Sequence, residues 1–550
     1  MGANAGLSTA LRTAVVKRPT RDGSEASIAA GHPTGVSAAS PAGGVRVFSH
    51  MRILFCLGGP SHICGPNVWL TRHLPLLRAQ GIEPRILYIA HNPDEPCTFR
   101  AALEASGVGS RAVRLSRYVD DDVMTILEAL AIEQPDIFVP NYSIPAYYAT
   151  SFAREAGIRT VGILHSDDPY YHDILDLFVS GPEPARLDAL VSVSAYLHEL
   201  ALRTATPTTR VVHATYGVPI DGACAAPPDD TLTLLYAGRL VEWQKRIMRL
   251  THRLCDATLA VPGVRAVLYG EGPNRDDVER IIAERGATHV RVAGGLGHED
   301  VMPAMRQGHA LVLLSDFEGL AIALTEAMAC GVVPIVAQMR SGTSDVIAHD
   351  VNALVVDPDD EASVVNAVRR LREEPGLWAR LSAAARATIV SRGLTAEDCA
   401  RRWADLCRQL APRTRVDRVR IPAPDTLELP PRCTRPFGFG AFEHRHPRSF
   451  LRRAIATSRP IYVWGAGAGG RKFLASETAQ ARTVAGVIDR RATNSHDRLD
   501  GAPLYPPGHL AAEIEKSARP FVVIASIHHA EIGGELEKMG FLPDQDFICA

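Results

Sequence analysis

Ser315-Asp316-Phe317-Glu318-Gly319-Leu320-Ala321-Ile322-Ala323-Leu324-Thr325-Glu326-Ala327-Met328-Ala329-Cys330-Gly331 is the stretch on which the fold turns. The apolar run Ala310 to Leu314 before it has the character of a buried strand, Ser315 to Gly319 reads as a loop, and Ile322 to Cys330 reads as a helix stopped near Gly331. A loop that feeds a helix in this way presents backbone N–H groups, here at Gly319, Leu320 and Ala321, to an anion, with the positive end of the helix dipole behind them. Gly319 lets the chain come close to a ligand. On one helix Glu318 and Glu326 would stand about 12 Å apart along the axis, too far to act as acid and base on a single bond. They are spaced instead to grip two ends of one long ligand.

A ligand with a diphosphate in the middle and hydroxyls at both ends fits that arrangement, and a nucleotide sugar has this form. The segment, continued through Gly331-Val332-Val333-Pro334, resembles the Glu-x7-Glu element of retaining GT-B glycosyltransferases of the family 4 type. The resemblance implies that Glu318 meets the donor sugar and Glu326 the ribose hydroxyls. It extends over roughly residues 51 to 410 and is more specific in the second half. There, Leu235-Tyr236-Ala237-Gly238-Arg239-Leu240-Val241-Glu242-Trp243-Gln244-Lys245 reads as strand, glycine turn and two cations. Such cations stabilise a departing nucleoside diphosphate without a metal. By resemblance Arg239 and Lys245 bind the diphosphate. Arg246 departs from the family pattern, which usually has glycine after the lysine.

In the first half, Gly58, Gly59 and Gly65 bound a loop after the strand Ile53 to Leu57 and resemble the family's Gly-Gly loop over donor and acceptor, with Ser61-His62-Ile63-Cys64 inserted. His165, following the apolar Val161 to Leu164, matches the family's strand-end histidine near the transferred sugar. Gly342-Thr343-Ser344-Asp345 resembles a Gly-x-x-Glu turn with Asp for Glu, and is expected to support the donor loop. Gly270-Glu271-Gly272-Pro273 resembles an architectural turn of the same family.

The chain has 550 residues, enough for three or four domains. A formal charge of −2 argues against a nucleic-acid partner. No apolar run reaches the roughly 18 residues of a membrane span, which leaves peripheral contact with the inner membrane face open. Ten scattered cysteines without a Cys-x2-Cys pair read as reduced thiols of a cytoplasmic protein. Residues 1–50 are rich in Ala, Gly, Ser and Thr and read as a disordered extension. Because Met51 opens the first strand, translation could start at Met1 or at Met51.

Alternating apolar strands and amphipathic helices predict α/β architecture, with two Rossmann-like domains in GT-B arrangement at residues 51–220 and 221–410. Their strands are expected at Ile53–Leu57, Pro84–Ile89, Asp136–Val139, Thr160–Leu164 and Ala189–Val193, then Leu232–Ala237, Ala266–Tyr269, His289–Ala293, Ala310–Leu314 and Val333–Val336. Residues 411–458, dense in Pro, Arg and His, read as a linker. A third, smaller Rossmann-like unit occupies 459–550. In it Gly465, Gly467 and Gly470 form a Gly-x-Gly-x-x-Gly turn between strand and helix, and Asp489 closes the next strand in position for a ribose hydroxyl. At roughly 90 residues the unit is about half a dinucleotide fold.

Two other clusters read more simply. Asp120-Asp121-Asp122 is expected to be the acidic first turn of a helix rather than a metal site, and His444 and His446 to be solvated linker residues. The reading is therefore a metal-independent, hexosyltransferase-like enzyme that needs no cofactor beyond its nucleotide-sugar donor. Its acceptor would be a glycan, a lipid or a small molecule. An NAD(P)-dependent oxidoreductase acting through the Gly465 turn and a non-catalytic nucleotide-sugar-binding protein stay open as alternatives.

Overall fold

The computed structural model describes residues 51–58, 65–90, 92–116, 119–297, 299–339, 341–410, 419–422, 427, 458–475, 483–492, 497–516, 519–526, 528–542 and 545–549. The expectations for residues 1–50, for Gly59 and the 61–64 insertion, and for His444 and His446 lie outside the described residues.

Three sheets organise the chain. The first has seven parallel strands in the order β3-β2-β1-β4-β5-β6-β7. These are β1 (Met51–Gly58), β2 (Ile82–Ala90), β3 (Gly109–Arg114), β4 (Ile137–Val139), β5 (Arg159–Leu164), β6 (Ala189–Ser192) and β7 (Arg210–His213). The second has six parallel strands in the order β10-β9-β8-β11-β12-β13: β8 (Leu232–Ala237), β9 (Val264–Tyr269), β10 (Val290–Gly294), β11 (Ala310–Leu313), β12 (Val333–Ala337) and β13 (Leu354–Val356). The central strands are apolar on both faces because helices cover both, as in any doubly wound sheet. The expected central strands are all present. Those that the periodicity does not announce are the edges β3, β7 and β13, where charged residues alternate with apolar ones or the strand is only three or four residues long.

In each sheet the order reverses at one point, between β1 and β4 in the first and between β8 and β11 in the second. Loops leaving neighbouring strands diverge there and open a crevice at the carboxyl ends. The Gly238–Lys245 segment leaves β8 and the Ser315–Ala321 segment leaves β11, so the fold brings the two sequence motifs together at the second switch point.

The third sheet comprises β14 (Ile461–Trp464), β15 (Gly486–Ile488), β16 (Arg498–Leu499), β17 (Ala502–Tyr505), β18 (Phe521–Ile524) and β19 (Phe547–Cys549), in the order β16-β17-β15-β14-β18-β19. It is parallel except for the β16–β17 hairpin. Six strands make it fuller than the half-fold expected from its length: β16 is only two residues long, and β17 is only partly buried along its whole length and so lacks the apolar run that marks β14 and β18.

The first two sheets are tied together through their core. One hydrophobic cluster includes Phe55 and Trp69 from the first half, Leu235 and Met328 from the second, and Trp403 from the helix Ala396–Gln409. Trp403, among the largest fully buried side chains, lies with its ring 5.6 Å from Phe55 and 5.8 Å from Trp69. The helix that ends the second half in sequence thus packs on the first. A domain boundary at residue 410 marks the chain's order rather than its packing.

Part of the segment read as a linker also packs. Leu427 is buried with Phe138 and Phe152 of the first half, and Arg420 reaches both carboxylate oxygens of Glu155, at 3.0 and 3.2 Å, while lying over the Phe152 ring. Ending the chain after Leu410 should therefore lower the melting temperature by about 2–4 °C relative to ending it after Leu427, since a buried leucine is worth roughly 1.5–3 kcal/mol. Thermal unfolding of the two truncations followed by circular dichroism checks this. Equal melting temperatures would show that residues 411–427 add nothing to the first half.

Candidate active site

Glu318 is buried at the end of the β11 loop, and the ammonium of Lys245 pairs with its Oε1. Lys245 ends a single helical turn, Glu242–Lys245, which places its side chain across the switch point from β8 to β11. Between them sits Gln244, 5% exposed, a residue the sequence reading passed over. Its amide Nε2 donates to the Phe317 carbonyl at 3.2 Å and faces Glu318 Oε2 at 3.5 Å, while its Oε1 accepts from Arg239 Nη2 at 2.8 Å. Its backbone carbonyl accepts from Asp316 N at 2.9 Å. One glutamine therefore fixes the Arg239 loop to the Glu318 loop.

Arg239 is exposed at the mouth of this arrangement, with its guanidinium 5.6 Å from the centre of the Trp243 ring. The turn beneath it is packed by Gly270, where any Cβ would collide with the Gly238 carbonyl, so the Gly270-Glu271-Gly272 turn is architectural in the way its sequence suggests.

Arg246 has φ 50° and ψ 46°, the left-handed region. A glycine is at ease there, whereas a residue with a Cβ loses roughly 1–2 kcal/mol. The guanidinium offsets part of this cost by pairing with Asp316 at 2.5 Å, adding a second tie between the two loops. The departure from the family's glycine thus leaves Lys245 on Glu318.

The helix Ile322–Ala329 carries Glu326 on its buried side. Its Oε1 accepts from Nη1 of Arg72 at 2.5 Å, and Arg72 belongs to the helix Gly65–Ala79 of the first half. Burial raises the Glu326 carboxyl above its usual range, and Arg72 works against that rise. Gly319, Leu320 and Ala321 lead into this helix, with Gly319 pressed against the backbone of His165.

His165 sits at the end of β5 and is 6% exposed. Its Nε2 donates to Asn141 Oδ1 at 2.6 Å, and its Nδ1 accepts from the Tyr216 hydroxyl. Burial pushes its pKa down to about 3, so the ring is neutral at any ordinary pH. Asn141, fully buried with φ 53°, and Tyr216 were not foreseen. Their only trace in the sequence is their position at strand ends.

Asp345 does more than support its own loop. Its Oδ2 accepts from Ala195 N at 2.5 Å, at the start of the helix Ala195–Thr204 in the first half, so it caps a helix across the cleft. Gly58 ends β1 and Gly65 opens the helix Gly65–Ala79. Asp120, Asp121 and Asp122 stand in the first turn of the helix Val119–Glu133, the acidic turn read from sequence, and Asp122 Oδ1 accepts from Ser116 N, ahead of the helix, at 2.6 Å.

In the third unit Gly465 has φ 126° and the turn leads into the helix Ala468–Leu474. Asp489 is turned inward on this motif. Its Oδ2 accepts from Ala466 N at 3.0 Å, and its Oδ1 accepts from Arg491 N and Nε at 2.9 and 3.0 Å. Arg491 above all holds the carboxyl down, at about 2. A ribose hydroxyl would have to compete with these bonds, which already make Asp489 a brace for the glycine turn.

Residues 225–388, the span that holds Arg239, Lys245, Glu318 and Glu326, match the family described as glycosyl transferases group 1. Over 318 residues the chain is 31% identical to the lipopolysaccharide core biosynthesis glycosyltransferase LpsD of Rhizobium meliloti (strain 1021), covering 58% of this chain and 87% of that protein. The chain belongs to the group 1 glycosyltransferases. A second relative, the alpha-D-kanosaminyltransferase of Streptomyces kanamyceticus, is 30% identical over 155 residues, and the match spans 28% of this glycosyltransferase and only 40% of that protein.

Among solved structures, the fold is similar to Anabaena Alr3699/HepE in complex with UDP and glucose, with TM-score 0.52 and 16% identity over 66% of this chain and all of that one. A glycosyltransferase from Rickettsia africae ESF-5 gives TM-score 0.54 at 14% identity, over 66% of this chain and 99% of that one. At such identities the likeness is one of fold. It places this glycosyltransferase in the GT-B architecture, which makes the crevice between its first two halves the candidate site of sugar transfer.

Proposed function

We propose that the enzyme moves a sugar, with retention of anomeric configuration in the manner of the family 4 type, from a nucleoside diphosphate donor to a glycan, lipid or small-molecule acceptor. The observation that carries this reading is the Lys245–Glu318 pair, buttressed by Gln244, with exposed Arg239 beside it at the β8/β11 switch point. Arg239 and Lys245 supply positive charge for a diphosphate, and the start of the helix Ile322–Ala329 adds backbone N–H groups at Leu320 and Ala321. Glu318 faces the sugar and Glu326 the ribose. The relatives support this assignment: a solved neighbour holds UDP and glucose, and a sequence relative is named for lipopolysaccharide core synthesis, in line with a cell-surface glycan as acceptor.

In the proposed reaction the bond from C1 of the sugar to the β-phosphate oxygen breaks as the acceptor oxygen bonds to C1 on the same face. The departing phosphate takes the acceptor proton. Arg239 and Lys245 hold the nucleoside diphosphate as its charge grows, which can supply several kcal/mol. The His165 ring, neutral and bonded at both nitrogens, shapes the sugar side of the crevice instead of exchanging a proton. Closure of the crevice keeps water from C1.

The test is incubation with UDP-, GDP-, ADP- and dTDP-sugars and simple glycoside acceptors, with release of the nucleoside diphosphate and the product's anomeric proton followed by NMR. A product of inverted configuration would overturn the retaining assignment. In the same assay turnover should persist in excess EDTA, because the two cations and the helix start provide the charge that a divalent ion would otherwise bring. Complete loss of activity in EDTA, restored by magnesium or manganese, would contradict metal independence.

A further inference from the structure

Glu326, alone among the four charged donor-site residues Arg239, Lys245, Glu318 and Glu326, is gripped by a side chain from the opposite half of the enzyme. The guanidinium of Arg72 occupies its Oε1 at 2.5 Å, with the two side chains 13% and 5% exposed. The same two helices meet again at their starts, where Gly65 faces Ile322 closely enough that a Cβ would come within 3.1 Å of the isoleucine Cδ1. The pair is therefore built into the helix contact and is not a chance meeting of surface charges. Its chemistry suits a particular task. A carboxylate on the helix Ile322–Ala329 can turn about its side-chain bonds, whereas one held at a single oxygen by a guanidinium has its other oxygen fixed in direction.

We propose that Arg72 is a positioning residue of the nucleotide site: it holds Glu326 as an oriented carboxylate whose Oε2 is left to accept hydrogen bonds from the hydroxyls of a ribose. This rests on the reading of Glu326 as the ribose contact. It adds that discrimination of ribose requires both halves of the enzyme, because the residue that aims the carboxylate comes from the first half. Binding of a ribonucleoside diphosphate is thereby coupled to the contact between the helices Gly65–Ala79 and Ile322–Ala329.

The full-length chain, as wild type, Arg72→Met and Arg72→Lys, is titrated by calorimetry with UDP, GDP and ADP and with their 2′,3′-dideoxy counterparts. The wild type should bind one ribonucleotide roughly ten- to a hundredfold more tightly than its dideoxy form, the ratio expected for hydrogen bonds to a charged group. Arg72→Met should remove most of that preference while leaving the affinity for the dideoxy form within a factor of about three. Arg72→Lys, which keeps the charge but not the planar fork, should retain an intermediate preference. It also keeps the test sound if the methionine variant, with a buried carboxylate left unpaired, fails to fold.

A wild-type preference that survives intact in the variants would overturn the proposal and leave the role of Glu326 standing. Tighter ribonucleotide binding by Arg72→Met than by wild type would also overturn it, since Arg72 would then compete with the ribose. A wild type that binds both forms equally, or neither, would overturn the ribose role of Glu326 and the proposal with it.

Discussion

Glu318→Gln should lower kcat by about two orders of magnitude while changing donor affinity only a few-fold. The exchange preserves the shape of the side chain and removes its charge. What it takes away is an anion that the protein has already oriented, through Lys245 on one oxygen and Gln244 on the other, toward the place where positive charge grows on the sugar. Preorganised groups of this kind contribute roughly 10²–10³ in rate because they need no rearrangement as the bond breaks. Glu326→Gln should divide its effect the other way, raising the donor dissociation constant about tenfold with little change in kcat, because a ribose contact is made equally in ground and transition states. Steady-state kinetics and donor titration of both variants separate the two roles. Small and equal effects of both changes on kcat and on affinity would refute the division.

Gly319→Ala should be nearly as damaging, by a route that involves no charge. Gly319 lies against the carbonyl oxygen of His165, and a Cβ there would stand well inside the 3.0 Å limit of real Cβ contacts, with Val193 Cγ2 only 3.2 Å away. Backbone on one side and a packed side chain on the other leave no flexible end to move aside. The donor loop must shift, and displacements of about 1 Å in a positioned site can cost on the order of a hundredfold in rate. We expect kcat/KM to fall by about that factor, with the melting temperature lowered as the two halves are wedged apart. Wild-type kcat/KM in a folded Gly319→Ala protein would show that the loop and His165 do not approach one another as described.

These two residues also show how much was legible in the sequence. Glu318 and Gly319 were readable because they sit on a strand-loop-helix unit whose apolar run, loop and helix stop are all local signals. The same holds for the central strands, whose continuous apolar runs come from burial on both faces. What was not legible depends on contacts made across long sequence separations. Arg72 looks like any cation on an amphipathic helix, and nothing near it announces Glu326, 254 positions away. Asp345 could be placed in its loop but not on Ala195 across the cleft. Gln244 stands beside Lys245 with nothing in the sequence to mark it, because an amide's role is set by what surrounds it. The edge strands β3, β7 and β13 were missed because an edge strand needs neither length nor a continuous apolar run.

Arg246 shows the opposite case, in which a local irregularity was legible and its consequence was not. An arginine where the family places glycine was visible in the sequence, whereas the positive φ of 50° at Arg246 emerges only in the folded chain. That Asp316 would receive its guanidinium and so keep the two loops aligned is a fact of the folded chain.

The most direct test of the account is a thermal-shift measurement on the full-length enzyme with a panel of nucleotide sugars and with NAD and NADP, run beside Lys245→Met. At least one nucleotide sugar should raise the melting temperature of the wild type by several degrees at saturating concentration, as mass action requires for a ligand that binds the folded state. Lys245→Met should lose that shift, and neither NAD nor NADP should reproduce it. A shift with NAD or NADP alone, or a nucleotide-sugar shift that Lys245→Met leaves intact, would contradict the assignment of the Lys245–Glu318 crevice as the donor site.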